Sequence, residues 1–148
     1  MHTYLTLMDE LGPLACHCLV TRQIARHVSK LYERHLAPSG ITATQLAILN
    51  FLERQQKMTM NELAAAMLMD RTTLLRALKP LRSKKLILSA PQAGEPRRLA
   101  IWLSRAGVRK ISETRPLWEA AQGEYEAQIG FEYARRLRSG LLSTMGAS

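Results

Sequence analysis

Residues 59–81, TMNELAAAMLMDRTTLLRALKPL, decide the fold that we expect of this chain. Thr59 and Glu62 have the spacing of a capping box, in which each side chain bonds the other residue's backbone amide at the start of a helix. Asp70 is a good N-cap because its carboxylate can accept a backbone amide at the positive end of a helix dipole. The segment therefore predicts two short consecutive helices joined by a tight turn, with the second helix beginning at Arg71.

The second of these helices carries two chemically different faces. Leu74, Leu78 and Leu81 fall on one face at helical spacing, and we expect them to be buried. Basic and hydroxyl side chains lie away from that stripe, at Arg71, Thr72, Thr73, Arg76 and Lys79. Arg offers a fork of donors that matches guanine acceptors, and Thr can bond a phosphate or touch a thymine methyl group. Such a pair of helices is typical of a helix–turn–helix that reads the major groove of DNA.

A β-hairpin is expected after these helices. Two short apolar runs, 86–88 and 99–103, are separated by the polar segment 92–97, which is the pattern of two strands joined by a turn. Arg97 and Arg98 lie in this hairpin, where a guanidinium can enter the minor groove or contact a phosphate. Arg98 can also simply face outward. The pattern predicts a basic wing beside the helix–turn–helix.

Helices are expected on both sides of this region. Apolar residues recur at spacings of three and four over residues 16–35, which indicates a long amphipathic helix. Thr42 and Gln45 have capping-box spacing and predict another helix start. Helical character returns after the hairpin, with a break near Gly130 and a last helix over about 131–144. The expected fold class is mainly α with a small β-hairpin, arranged as a winged helix–turn–helix with a helical dimerisation region.

The positive charge of the chain is concentrated in one segment. The chain has 148 residues and a net charge of +9. Between Arg71 and Lys110 there are eleven basic residues and one acidic residue, Glu95, a net charge of +10, whereas the other ten basic and eleven acidic residues give −1. Net charge describes association and not fold, but charge focused on one segment is the electrostatic footprint of a phosphate-binding protein. A solvated basic face without a ligand is the alternative.

Three stretches of this sequence resemble the MarR family of bacterial winged-helix regulators, and the resemblance extends from about Cys16 to Leu142. The stretches are Thr59–Ala64, Met69–Leu81, and Glu95-Pro96-Arg97 followed by Leu103–Gly107. By that resemblance Arg97 corresponds to the wing arginine that contacts DNA, and Glu95 to the carboxylate that orients it. The family has Asp at the position of Glu95 and Thr at that of Ser104, whose hydroxyl can still cap a helix.

Two positions in and after the second helix depart from the expected pattern. Lys85 stands where the family usually has Gly, and a left-handed conformation there would cost a lysine about 1 kcal/mol or more. We therefore expect this helix to end differently. Pro80 lies inside the helix, where a proline costs roughly 3 kcal/mol and frees a carbonyl, so a kink or an early helix end is expected.

The resemblance also implies a homodimer that binds a pseudo-palindromic site on double-stranded DNA. We expect a single domain over residues 1–148, in which 1–40 and 111–148 supply the dimerisation helices and 41–110 form the winged helix–turn–helix. The C-terminal third agrees with a dimer, because it holds more apolar surface than one small domain can easily cover. Its apolar residues are Leu117, Trp118, Tyr125, Ile129, Phe131, Tyr133, Leu137, Leu141 and Leu142. A monomer that folds these helices back on itself is the alternative.

The same resemblance implies a repressor that is relieved by a small aromatic or phenolic effector. In the family such ligands bind between the dimerisation helices and the winged helix. Candidate pocket residues are His17, Ile48, Met67 and Trp102, each of which can equally belong to the ordinary core. No cofactor is expected.

Cys16 and Cys18 admit three interpretations. With His17 they offer ligands for zinc or copper, but residues one and two apart point in different directions on a helix, so no metal site is expected. Exposed thiolates of low pKa would make them a redox switch, which gives the alternative of a thiol-redox-responsive regulator. The interpretation that we favour is buried cysteines that pack as small hydrophobes at a dimer interface.

Further classes of protein fit the sequence less well. No apolar run approaches the roughly 18 residues of a membrane span, and the N-terminus lacks a signal-peptide pattern, so a cytoplasmic protein is expected. The sequence contains no nucleophile beside a base, no paired carboxylates and no phosphate-binding glycine loop, so an enzyme is not expected. A non-specific architectural nucleic-acid-binding protein and a protein–protein adaptor are also compatible with a basic winged helix.

Overall fold

The computed structural model of this protein describes residues 4–146, which are mainly helical and include a small antiparallel sheet. Within these residues the helices are α1 (Tyr4–Leu11), α2 (His17–Leu36), α3 (Ala43–Gln55), α4 (Met60–Met67), α5 (Arg71–Ser83), α6 (Arg105–Ile129) and α7 (Phe131–Thr144). The strands are β1 (Met58–Thr59), β2 (Ile87–Gln92) and β3 (Glu95–Leu103). The fold class predicted from the sequence is confirmed. None of the helices in this part of the chain combines the length and apolarity required to cross a membrane.

The chain divides into two compact units. The terminal unit comprises the residues up to Arg34 together with those from Ala121 onward, and the central unit is continuous from His35 to Ala120. The central unit contains the whole of the segment 41–110 in which the sequence places the DNA-binding elements, and it extends further at both ends.

The core of the central unit is formed by α3, α4 and α5 packed with the sheet. Leu74, Leu78 and Leu81 of α5 are fully buried, as the spacing of these leucines predicts. Ile48 on α3 and Ile101 on β3 are also fully buried in the same cluster. Burial of each such side chain contributes roughly 1.5–3 kcal/mol, so one face of α5 is fixed and the opposite face is left exposed.

The predicted helix starts of the central unit are confirmed. Thr42 Oγ1 accepts the amide of Gln45, and Gln45 Oε1 accepts the amide of Thr42 in return. The same reciprocal pair joins Thr59 and Glu62 at the start of α4. These bonds satisfy amides that would otherwise lack a partner in the first helical turn.

The end of α5 differs from the sequence-based expectation. Of the two outcomes expected of Pro80, a kink or an early helix end, the early end is wrong, because α5 continues to Ser83. It then closes with a Schellman motif, in which the amide of Lys85 donates to the Arg82 carbonyl and the amide of Leu86 donates to the Leu81 carbonyl, both at 2.9 Å. Lys85 occupies the left-handed region at a φ of 56° although it is not a glycine. Burial of Leu86 in the core offsets the backbone strain at Lys85.

The sheet is larger than the predicted hairpin. Its strand order is β1-β3-β2, and β1 was not expected because two residues are too few to show a period in the sequence. The two long strands extend to Gln92 and from Glu95, so the turn is only Ala93-Gly94, with Gly94 at a φ of 81°. The sequence predicts shorter strands because Pro91 and Pro96 stand beside the turn, and prolines are rare in strands. However, β2 is an edge strand, and an edge strand tolerates a proline such as Pro91.

The base of the hairpin is fixed where α6 begins. The Ser104 amide donates to the Leu86 carbonyl at 3.0 Å, and the Ser104 hydroxyl donates to the Lys85 carbonyl at 2.7 Å. The same hydroxyl accepts the Gly107 amide at 3.0 Å, which confirms its predicted capping role. A Cβ atom at Gly107 would lie 2.1 Å from the Leu86 carbonyl oxygen, so only glycine fits this close approach.

Replacement of Gly107 by alanine is expected to destabilise the protein by about 2–3 kcal/mol, because the clashing atom belongs to the backbone and must move. The matched control is Gly123→Ala in the same helix, where no atom lies within 4 Å of the added Cβ. The control should raise stability by about 0.5–1 kcal/mol. Urea unfolding followed by circular dichroism measures both values, and a neutral Gly107→Ala variant would contradict the packing described here.

Candidate nucleic-acid interface

The exposed face of α5 brings together five of the residues that the sequence assigns to DNA binding. All five are exposed: Arg71, Thr72, Thr73, Arg76 and Lys79. Thr72, Arg76 and Lys79 lie one helical turn apart on the side opposite the buried leucines. Among the described residues, the side chains of Arg71, Arg76 and Lys79 make no hydrogen bond or ion pair. This face therefore presents unpaired cations to solvent.

The first turn of this helix is fixed by Asp70. Asp70 Oδ1 accepts the amide of Thr73 at 2.7 Å. This backbone hydrogen bond is the main cause that lowers the pKa of the Asp70 carboxyl, and the nearby Arg76 guanidinium acts in the same direction. The carboxylate is therefore held ionised at the positive end of the helix dipole. Arg71 and Thr72 follow directly as the first two residues of α5.

The turn between α4 and α5 contains a feature that the sequence reasoning missed. The amide of Leu68 donates to the Ala65 carbonyl at 3.2 Å and that of Met69 donates to the Ala64 carbonyl at 2.9 Å, a second Schellman motif. Leu68 is its left-handed residue, at a φ of 50°. A leucine pays about 1 kcal/mol or more for this conformation. Its side chain is nevertheless 75% exposed.

Glu95 at the wing is paired with Arg98 in this structure and not with Arg97, the residue that it is expected to orient. Glu95 Oε2 accepts Arg98 Nη1 at 3.0 Å, whereas Arg97 makes no side-chain hydrogen bond or ion pair within the described residues. Glu95 stands beside the two-residue turn, where the strand register shifts, and its side chain is one methylene longer than that of Asp. Residues 96–98 have no partners on β2, so β3 is irregular here and Glu95 can meet the third residue along the strand. Arg97 is the free cation of the wing.

Several lysines near this surface have structural contacts that charge counting could not reveal. Lys84 Nζ donates to the Gly40 carbonyl, and Lys110 Nζ donates to the Ser39 carbonyl at 3.2 Å. Both ammonium groups thus bind the turn that precedes α3. Lys57 Nζ lies 5.0 Å from the centre of the Trp102 ring, a cation–π contact. A basic segment therefore contains both structural cations and free ones.

The residues suggested for an effector pocket differ in burial and in the unit to which they belong. Ile48 is fully buried in the core, Met67 is half-buried, and Trp102 is half-buried beside Lys57. His17 is exposed at the start of α2 in the terminal unit. A cleft of about 180 Å³ in the central unit lies elsewhere. It is lined by Leu46, Asn50, Ile111, Thr114, Arg115, Trp118 and Glu119.

Cys16 and Cys18 are both free and exposed in the single chain. Cys16 Sγ accepts the amide of Leu19 at 3.5 Å, so it occupies the cap position of α2. The favoured expectation buries both thiols against a second chain, so it stays a prediction. In residues 4–146 no group of His, Cys, Asp or Glu side chains is arranged to hold a metal ion.

The terminal unit contains a larger, mainly apolar groove of about 460 Å³ between α2, α6 and α7. Ile24, Val28, Leu137 and Leu141 are among its apolar lining residues. At one side the Tyr32 hydroxyl donates to Gln122 Oε1. Burial, followed by the nearby Glu126, raises the pKa of Tyr32, so this phenol stays neutral.

This chain is similar in sequence and in structure to known transcription regulators. The sequence matches the model of the MarR family over residues 39–95. The M. tuberculosis transcriptional regulator MosR, solved in complex with DNA, has 34% sequence identity and a TM-score of 0.76, and the match covers 89% of this chain and 97% of that one. No curated protein matches the sequence significantly.

More distant structures share the fold. A mutant of MarR from E. coli in complex with operator DNA has a TM-score of 0.79 at 22% identity, and the match covers 93% of this chain and 97% of that one. The transcriptional repressor CouR, bound to a 23-mer DNA duplex, has a TM-score of 0.82 at 17% identity, with 91% and 96% covered.

Substitution of Asp70 by alanine is expected to lower the melting temperature at neutral pH, because the cap of α5 is lost. The folded pKa of Asp70 is lowered, so its stabilisation is present above the pKa of an unfolded carboxyl and is lost as pH falls through the folded value. The gap between wild type and Asp70→Ala should therefore shrink at acid pH. Asp70→Asn, which keeps the acceptor, is the control and should lose less. A gap that does not change with pH would contradict this assignment.

Proposed function

Because the chain belongs to the MarR family of winged-helix, DNA-binding transcription regulators, we propose that it acts as a homodimeric repressor on a pseudo-palindromic operator, from which a small ligand releases it. The observation that carries this proposal is the exposed face of α5. It presents Arg71, Arg76 and Lys79, whose side chains make no hydrogen bond or ion pair with the described residues, while the buried leucines hold the helix on the core. Cations that satisfy nothing inside the fold are available to phosphates and base edges.

The residues of α5 take different parts in this proposal. Arg76 lies one turn into the helix and reads a base edge, since its guanidinium can form two parallel hydrogen bonds with guanine. Thr72 and Thr73 contact a phosphate or a thymine methyl group near the helix start. Lys79 is a point charge for the DNA backbone, whereas the planar guanidinium of Arg71, at the first helical position, can bind a phosphate with two donors.

The wing arginines are proposed to act unequally. Arg97 makes no hydrogen bond or ion pair in the part of the chain that the structure describes, and it contacts the minor groove or its phosphates. Arg98 Nη1 lies 3.0 Å from Glu95 Oε2 in an exposed ion pair. Arg98 still contributes positive potential, but it has to leave this pair before it can bind a phosphate. Exposed pairs of this kind are weak, and the pair biases the choice of contact without preventing it.

Dimerisation is proposed to use the terminal unit. Its groove exposes apolar lining, and large apolar side chains of α2 and α7 stay exposed around it, including Ile24 at 37% and Leu141 at 45%. A second copy of this chain can cover both, since a two-fold interface presents the same surface twice. A dimer would place two copies of α5 about one helical turn of DNA apart, near 34–36 Å.

Ligand relief is proposed to act through the cleft of the central unit and not through the four residues suggested by the sequence. The cleft lies along α3 and α6, and Trp118 and Arg115 are among its lining residues. An indole ring and a guanidinium suit a small aromatic molecule with an acidic group. Titration of such compounds against a preformed protein–DNA complex tests this part of the proposal.

A thiol-redox switch is the second candidate for regulation, and the exposure of both cysteines favours it. Mild oxidation by hydrogen peroxide would then alter the affinity for DNA, whereas a Cys16→Ser, Cys18→Ser double variant would not respond. An equal response of the double variant would remove this candidate.

Selection of duplexes from a random pool by the full-length protein tests the DNA proposal directly. The expected product is a pseudo-palindrome with half-sites about 10 base pairs apart. Enrichment of no sequence, together with salt-dependent binding to all duplexes, would favour a non-specific architectural protein. Absence of duplex binding at low salt would favour a protein–protein adaptor.

Arg76→Ala and Arg97→Ala are expected to weaken DNA binding in different ways. Loss of a bidentate base contact at Arg76 should cost about 1–3 kcal/mol on the selected duplex and little on random duplex, which flattens the preference. Loss of Arg97 should weaken binding to both duplexes and reduce the salt slope by about 1. Fluorescence anisotropy at several salt concentrations measures these effects. Arg135→Ala in α7, which removes the same charge, is the control, and wild-type affinity of both test variants would remove the site assignment.

Leu141→Glu is expected to give a monomer, because it buries a charge in the proposed dimer interface. The monomer should retain the helical circular dichroism spectrum and bind the two-half-site duplex at least 100-fold more weakly, an order of magnitude set by the loss of the second half-site. Leu88→Glu is the matched control, since Leu88 is 46% exposed, against 45% for Leu141, but lies on the sheet of the central unit. Light scattering measures the mass; a Leu141→Glu dimer would contradict the proposed interface.

A further inference from the structure

Leu68 combines two features that folding alone does not require. It lies in the left-handed region at a φ of 50°, and its side chain is 75% exposed, the highest fraction among the large apolar side chains of the described residues. The hydrogen bonds of the turn come from the backbone amides of Leu68 and Met69 and would form with any residue that tolerates this conformation. Glycine would form the same turn without strain. The leucine side chain is thus unexplained by the fold.

The Schellman motif at the end of α5 shows by contrast what is unusual about Leu68. At Lys85 the left-handed residue is also not a glycine, but its side chain is charged and suits an exposed position. Leu68 leaves an apolar side chain in water at a strained position. Local strain that no packing explains is commonly found where a residue takes part in function.

The placement of Leu68 also separates it from the proposed dimer surface. The other large apolar side chains that are more than half exposed, Leu14, Phe131, Tyr133 and Met145, all belong to the terminal unit, where a second copy can cover them. Leu68 belongs to the central unit and precedes the cap residue Asp70 by two positions. Its nearest functional neighbours along the chain are therefore Arg71 and Thr72, at the start of α5.

We propose that Leu68 is an apolar DNA contact that packs at the rim of the major groove beside the start of α5. The inference rests on the proposed function, in which α5 enters that groove. The N-terminal residues of a groove-bound recognition helix contact base edges, and Leu68 lies only two positions before the cap of α5. The apolar groups of DNA near that point are the thymine methyl and the deoxyribose carbons. The contact removes the side chain from water only when DNA is bound, which accounts for its exposure in the free protein.

Two substitutions separate this role from a structural one. Leu68→Ala shortens the side chain and keeps the strained backbone, so the affinity for the selected duplex should fall about tenfold with little change in stability. Leu68→Gly also removes the strain, so the melting temperature should rise by about 2 °C while the affinity falls at least as much. A gain in stability with a loss of affinity is not expected of a residue that serves only the fold.

The source of the apolar contact is determined with a modified duplex. Replacement of thymine by uracil removes the methyl group and leaves the deoxyribose in place. If Leu68→Ala loses affinity only on the thymine duplex, the contact is to the methyl group. An equal loss on both duplexes assigns the contact to the sugar.

Controls keep this inference distinct from the proposed function. Leu88→Ala changes another exposed leucine in extended backbone and should bind the duplex as wild type does. If Arg76→Ala weakens binding while both Leu68 variants bind with wild-type affinity, the contact proposed for Leu68 is overturned and the proposed function stands. If the wild-type protein binds no duplex, the proposed function fails and this contact fails with it.

Discussion

The hydrogen bonds at the carbonyls of Lys85 and Leu86 are the constraint on which the proposed DNA-binding surface depends. Ser104 binds both carbonyls, and the whole hairpin lies between these partners in the chain. One side of the junction ends α5, and the other begins α6, where Gly107 permits the close approach of the Leu86 carbonyl. Because both ends of the hairpin are held at one point, the wing takes its position from the end of α5. The helix and the wing thereby form one surface instead of two independent ones.

The basic residues of this protein have different roles that composition alone cannot distinguish. Lys84 and Lys110 bind carbonyls of the turn before α3, so their ammonium groups stabilise the central unit. Arg76 and Arg97 have no such partners and remain available to an anion. The guanidinium of Arg82 is a third case, because its Nε and Nη2 atoms are buried without a hydrogen-bond partner within the described residues. The basic residues of this segment thus fall into three groups: those that bind carbonyls of the fold, those that are available to an anion, and the buried guanidinium of Arg82.

Features that depend on near neighbours in the chain were predictable from the sequence, and features that depend on distant ones were not. The capping boxes, the Asp70 cap and the buried leucine stripe of α5 follow from residues three or four positions apart. Strand β1 exists only because it pairs with β3. The partner of Glu95 is only three residues away, but it depends on the irregular pairing of β3 with β2, which the sequence does not reveal. The exposure of the cysteines in one chain likewise depends on packing. The strained position of Leu68 has no sequence signal at all.

The register beside the two-residue turn of the hairpin determines how the wing can change length. Gln92 pairs with Glu95 but Pro91 pairs with Leu99, so residues 96–98, which include Arg97 and Arg98, have no partners on β2. Extra residues in this irregular stretch would change the direction of the arginines and leave the paired part of the hairpin in place. A single insertion between Leu99 and Leu103 would instead shift the register and move side chains such as the fully buried Ile101 out of the core. A longer wing is therefore tolerated near the turn and costly at the base of the hairpin.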